Sequence, residues 1–220
     1  MIWFKDKEFV KALESWVAFN NNNILLKDRK SDAIKFQFEK KWNEYFIKNV
    51  NDINKIKKII INNKNIKDIT WIWNFTNLVI LNLNNNKIKN LSSDIINLQN
   101  LSYLYLENNK IEDLWNIFYK LKNIYRLYLN NNKIENLSED IINLQKLNLL
   151  EVNDNNLRKF PKNIMKLKNL NYLQFFNNKF EKFPDELFSL KKLDNILLNV
   201  NKDLFYDENW KEKPKNFTFT

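Results

Sequence analysis

LSYLYLENNKIEDLWNIFYKLKN, residues 101–123, is the stretch from which the fold can be read. At Ile124 the chain begins the same pattern again, and units of 23 residues start at Leu78, Leu101, Ile124, Leu147, Leu170 and Leu193, after a unit one residue shorter at Ile56. A fixed period of this length is the signature of stacked supersecondary units. Each unit opens as L-x-x-L-x-L-x-x-N-x-L, for example Leu101, Leu104, Leu106, Asn109 and Ile111, then Leu170, Leu173, Phe175, Asn178 and Phe180. Leu104 and Leu106 alternate with Tyr103 and Tyr105, so the opening half predicts a short strand with one apolar face. In the closing half, Leu91, Ile95 and Leu98 recur as Leu114, Phe118 and Leu121 and as Leu137, Ile141 and Leu144, which is helical or 3₁₀ spacing. No unit can hide its own apolar face, so neighbours must stack with their strands parallel. Seven such strands, ~4.8 Å apart, would make a sheet roughly 30 Å long.

The pattern resembles the leucine-rich-repeat family, in its 23-residue "LPxxI" class, over residues 56–204. Phe160-Pro161 and Phe183-Pro184 match the dipeptide of that class, whereas Ser92, Trp115 and Ser138 stand where earlier units would carry the proline. The resemblance implies an α/β solenoid, a right-handed superhelix with a parallel concave sheet, holding about six full repeats and a partial seventh. It also implies that the column Asn86, Asn109, Asn132, Asn155, Asn178 and Asn201 turns inward as a structural asparagine ladder. Such a ladder satisfies backbone groups of its own and adjacent turns that would be costly to bury unpaired. Lys64 occupies this position in the first unit.

A solenoid exposes apolar surface at both ends and needs caps there. Residues 1–55 lack the repeat; Phe9, Leu13, Trp16 and Val17, and then Ile34, Phe38, Trp42, Tyr45 and Phe46, fall on helical faces and predict an N-terminal helical cap of two helices. Residues 205–220 form a C-terminal cap and tail, in which Phe205, Tyr206 and Trp210 would fold over the last unit and Phe217, Thr218 and Phe219 alternate like a strand.

Composition narrows function. The chain has no Cys, His or Gly. Disulfides, thiolate or imidazole metal ligands and the glycine-rich phosphate loops are therefore excluded. No catalytic residue, metal site or cofactor is expected. Glu107 and Glu151 sit two strands apart, roughly 9–10 Å by strand spacing, and are read as recognition residues. Runs such as Asn84 to Asn86 are what an AT-rich genome would encode. No segment approaches the ~18 apolar residues of a membrane span, and a cytoplasmic location is expected, with secretion lacking a visible signal kept open.

The exposed residues of the sheet follow from spacing. One column is Lys58, Ile80, Tyr103, Arg126, Leu149, Tyr172 and Asn195; a second is Ile60, Asn82, Tyr105, Tyr128, Glu151, Gln174 and Leu197; a third includes Asn84, Glu107, Asn130, Asn153 and Phe176. Tyr103, Tyr105, Glu107, Arg126, Tyr128, Glu151, Tyr172, Gln174 and Phe176 form the candidate partner-binding surface, because Tyr and Arg offer large, rigid contact area with a polar tip. The expected function is a monomeric scaffold that binds a partner protein or peptide on its concave face. The alternatives are a basic surface for nucleic acid or anionic lipid, prompted by the formal charge of +10, and a non-catalytic targeting subunit of an enzyme complex such as a phosphatase. Nucleic acid is disfavoured because Lys87, Lys110, Lys133, Lys179 and Lys202 form a stripe that Glu112, Glu135 and Glu181 partly neutralise.

Overall fold

The computed structural model describes residues 2–4, 38–41, 44–47, 54, 56–114, 119–181, 195–198 and 217–219. Ahead of the repeats lie β1 (Ile2–Phe4), β2 (Phe38–Lys41) and β3 (Glu44–Ile47), an antiparallel sheet in the order β1-β3-β2. This corrects the expected second helix of the N-terminal cap: Phe38, Tyr45 and Phe46 belong to strands, and Trp3 registers with Phe46. Over so few residues helical spacing does not exclude a strand, and aromatic side chains favour a pleated surface. The helix expected around Phe9 to Val17 lies outside the described residues, as do Phe205, Tyr206, Trp210 and Asn201.

The repeats build one parallel sheet. Its strands are β4 (Lys58–Ile60), β5 (Ile80–Asn82), β6 (Tyr103–Tyr105), β7 (Arg126–Tyr128), β8 (Leu149–Glu151), β9 (Tyr172–Gln174) and β10 (Asn195–Leu198), with β11 (Phe217–Phe219) adding to β10. Register never slips: Ile59, Leu81, Leu104, Leu127, Leu150 and Leu173 are successive partners, each at most 1% exposed. Fully burying one such side chain stabilises by roughly 1.5–3 kcal/mol before entropy is counted, so this row and the one through Leu83, Leu106 and Leu129 form the inner wall of the core. The outer wall is made by 3₁₀ turns at Thr70–Asn74, Ser93–Asn97, Glu139–Asn143 and Lys162–Lys166, which bury Ile72, Ile95, Ile141 and Ile164. Ser92 and Ser138 cap their turns by accepting from Asp94 N and Asp140 N. Pro161 has no such oxygen to offer, and Glu139 of the preceding unit accepts from Lys162 N and Asn163 N instead.

Asparagine stitches the units together. Asn132 Oδ1 accepts from Ile111 N at 3.0 Å, while its Nδ2 donates to Leu106 O at 2.9 Å and Leu129 O at 3.0 Å. Asn86, Asn109, Asn155 and Asn178 make the equivalent bonds. Each amide thus reaches the carbonyl at its own strand end and the one before it. The residue ahead of each ladder asparagine turns the chain with positive φ: Asn85, Asn108, Asn131, Asp154 and Asn177 lie at 54° to 58°. That region is sterically poor for residues with a Cβ, and Asn and Asp are its commonest non-glycine occupants. In a chain without glycine they supply the bend. The run Asn84 to Asn86 therefore carries more than codon bias, since each of its members has a separate task.

Candidate functional site

The sheet's outward columns stand as spacing predicts. Tyr103, Arg126, Leu149 and Tyr172 are successive partners, as are Tyr105, Tyr128, Glu151 and Gln174. Nearly all are half-buried, because each is flanked by its neighbours along the column; Tyr172 is 39% exposed. The Tyr105 and Tyr128 rings stack at 4.7 Å between centroids and 6° between planes. Tyr103 meets the Tyr125 ring edge-on at 6.0 Å. A pair of this kind adds about 0.5–1.5 kcal/mol beyond its buried area, so the stack stiffens the surface it presents. Burial, and then the neighbouring Tyr128, raise the Tyr105 phenol above its ordinary range. The Arg126 guanidinium bonds the Tyr128 side chain, which holds it firmly charged, and lies 5.8 Å from the Tyr125 ring centre. Its Nε is buried without a partner.

Beyond the tyrosines the third column forms a second polar line, which sequence spacing places but does not connect. Asn84 Oδ1 accepts from Glu107 N at 2.8 Å, Asn130 Oδ1 from Asn153 N at 2.9 Å, and Asn153 Oδ1 from Phe176 N at 3.1 Å. The amide nitrogens of this line hold the acids. Asn84 Nδ2 donates to Glu107 Oε2 at 2.7 Å, and Asn130 Nδ2 donates both to Glu107 Oε1 at 3.0 Å and to Glu151 Oε2 at 2.6 Å. Those last two oxygens share one nitrogen and so lie within about 5.6 Å of each other. The separation expected from strand spacing is thereby corrected: the backbones are two strands apart, but the side chains lean in from both sides onto Asn130. Burial, opposed by the Asn130 bond and reinforced by the Glu107 charge, raises the Glu151 carboxyl above its ordinary 4.5. Asn153 continues the line by donating to Gln174 Oε1 at 3.0 Å. Phe176, at the end of the column, is half-buried.

One buried group escaped sequence reasoning. Tyr119 is 2% exposed and its hydroxyl accepts from Ser138 N at 3.1 Å, while burial drives its phenol far above the ordinary value. The repeat aligns it with Ile96, Ile142 and Met165, all only half-buried, so spacing alone marks it as a rim position. Phe118, the expected core residue of this unit, is outside the described residues.

Charge is sorted along one edge of the solenoid. An open groove of about 790 Å³ is lined by Lys67, Lys87, Lys89 and Lys110, together with Asp68 and the hydroxyls of Thr70, Ser92 and Ser93. A second groove, of about 440 Å³, is lined by Glu112, Asp113 and Glu135 with Lys133. Lysine thus outnumbers acid in the first groove, and acid outnumbers lysine in the second. Among the described residues no group of three or more acidic side chains is arranged to hold a metal ion, and no helix is long and apolar enough to cross a membrane.

The family described as "Leucine Rich repeats (2 copies)" matches residues 76–120. No curated protein sequence is matched. Among solved structures, an internalin (inlF) from Listeria monocytogenes superposes with a TM-score of 0.69 at 25% identity, over 90% of this chain and 51% of that one. A leucine-rich-repeat protein from Leptospira interrogans gives a TM-score of 0.60 at 27% identity, over 69% of this chain and 46% of its own. The plant peptide hormone receptor RGFR1, solved in complex with RGF2, shares the fold with a TM-score of 0.59 at 24% identity, over 65% of this chain and 24% of the receptor. The chain therefore spans about half the length, or less, of these structures.

Proposed function

The chain is a leucine-rich-repeat protein, and from that premise we propose that it is a protein-interaction scaffold whose concave sheet docks a partner protein or peptide. One observation carries this reading. On the central strands the outward columns bring Tyr103, Tyr105, Arg126 and Tyr128 into a single patch, stiffened by ring stacking. Aromatic and Arg side chains of this kind dominate binding energy when a partner covers them, because little side-chain freedom remains to be lost. Tyr172, Gln174 and Phe176 extend the surface on β9 and just beyond it. The Glu107 and Glu151 carboxylates are held in place by amide donors, an arrangement that suits recognition.

The test is capture of a defined binding protein by the parent chain and by Tyr105→Ala/Tyr128→Ala. Selective loss of that protein from the double variant, with melting behaviour preserved, is the expected result. Equal capture would move the site off the concave face.

A second reading has its own observation, the groove lined by Lys67, Lys87, Lys89 and Lys110. It is the place where an anionic polymer would bind. Retention on heparin that weakens in Lys87→Glu/Lys110→Glu and falls steeply with salt would favour it; unaltered retention would remove it.

A further inference from the structure

The concave face holds a local pair of acids on a chain of opposite net charge. The chain bears a formal +10, yet the carboxylates of Glu107 and Glu151 are drawn to within about 5.6 Å of each other. They are positioned by neutral amides, which fix direction without cancelling charge. Among the described residues neither has an ion-pair partner. Arg126, the nearby cation, is turned to Tyr128 and Tyr125 instead. Two like charges held close in a half-buried setting cost stability, and burial makes that cost larger. A cation arriving over both of them would relieve it.

The stacked rings stand beside this pair. Glu151 is the strand partner of Tyr128, and Tyr128 that of Tyr105, while Glu107 follows two residues after Tyr105 on the same side of the sheet. The faces and edges of these rings suit the apolar stem and the charged head of a long basic side chain. We propose that the partner presents an extended basic segment, one Lys or Arg of which is seated over the Glu107 and Glu151 carboxylates, on the solvent side of the Asn130 amide that bridges them and against the Tyr105–Tyr128 stack. This rests on the concave-face reading and names the chemistry of its occupant by charge complementarity.

Overall charge and local charge predict opposite outcomes, which makes the test sharp. Fluorescence anisotropy would follow dye-labelled hexa-arginine and hexa-glutamate at about 150 mM salt, where charges more than ~8 Å away are largely screened. Hexa-arginine binds the parent despite the net positive charge, and Glu107→Gln/Glu151→Gln weakens it by about tenfold or more. Gln keeps one oxygen for Asn130 but at position 107 faces Asn84 with a donor in place of an acceptor, so binding is compared at a temperature where the double variant's melting curve shows it folded, and Glu112→Gln/Glu135→Gln, which removes as much charge from the edge groove, leaves the affinity unchanged. Failure of hexa-arginine to bind, or equal weakening by the two double variants, overturns the proposal. If hexa-arginine fails while Tyr105→Ala/Tyr128→Ala still abolishes capture of a protein partner, the docking face stands and only its basic occupant falls.

Discussion

Replacing Asn86 and Asn132 by Ala, one at a time, should separate two members of the ladder that look alike in sequence. Both side chains are buried, at 7% and 8% exposure, and both substitutions remove the same atoms, so transfer and cavity terms nearly cancel in the comparison. The hydrogen bonds left unmade do not cancel. Without Asn132, Leu106 O still accepts from Asn109 and Leu129 O still accepts from Asn155; only Ile111 N loses its partner. Without Asn86 the situation differs, because Lys64 replaces the asparagine of the unit before. Ile61 O then has no second amide, and Lys64 N and Ile66 N both lose the Oδ1 they share. An unsatisfied buried group costs about 1–3 kcal/mol. Asn132→Ala should therefore cost about 1–3 kcal/mol and Asn86→Ala about 3–6 kcal/mol, the upper range trimmed because Lys64 N is only partly buried. Urea unfolding of both variants and the parent, compared at equal slope, reads the difference. If Asn132→Ala proves as damaging as Asn86→Ala, the shared-carbonyl account is wrong.

Three further outcomes follow from single residues. Asn85→Val should destabilise by about 1–2 kcal/mol, since a β-branched residue is forced to positive φ, whereas Asn85→Gly should be neutral or mildly stabilising by the same denaturation assay; equal effects would remove the backbone argument. Glu151 binds its proton more tightly folded than unfolded, so its contribution to stability falls as pH rises from 4.5 through the raised folded value. Glu151→Gln should accordingly melt above the parent at pH 7, with the gap closing below pH 4.5; a gap that is constant with pH would contradict the assignment. Tyr119→Phe leaves Ser138 N without its acceptor and should cost about 1 kcal/mol, measured as a lowered midpoint in urea; an unchanged midpoint would mean another group replaces the phenol.

The parts of this architecture that depend on where a backbone goes were legible in the chain. The 23-residue period set which leucines share a row, and the strand alternation placed Tyr105 beside Tyr128 without any coordinates. What depends on where a side chain leans was not. Strand spacing separates the Cα atoms of Glu107 and Glu151, but two long carboxylates and one amide between them close most of that distance. Composition also obscured function at the turns: in so many asparagines, the one at positive φ, the one inside and the one holding an acid cannot be told apart by letter. At the N-terminus, Phe38 and Tyr45 satisfied a helical spacing and a strand composition at once, and pairing of β3 with both β1 and β2 decided between them.

The sharing of carbonyls between successive asparagines makes the ladder edges of the seams from Asn86 to Asn178 interchangeable. The edge that Asn109 presents to the next unit is the edge that Asn132 presents in turn. A duplication or excision of one whole period in this interior would rejoin like to like along the ladder, with no ladder donor or acceptor stranded. Length is thereby a free variable of the design, and a lineage can widen or narrow the face it offers to others by copying 23 codons at a time.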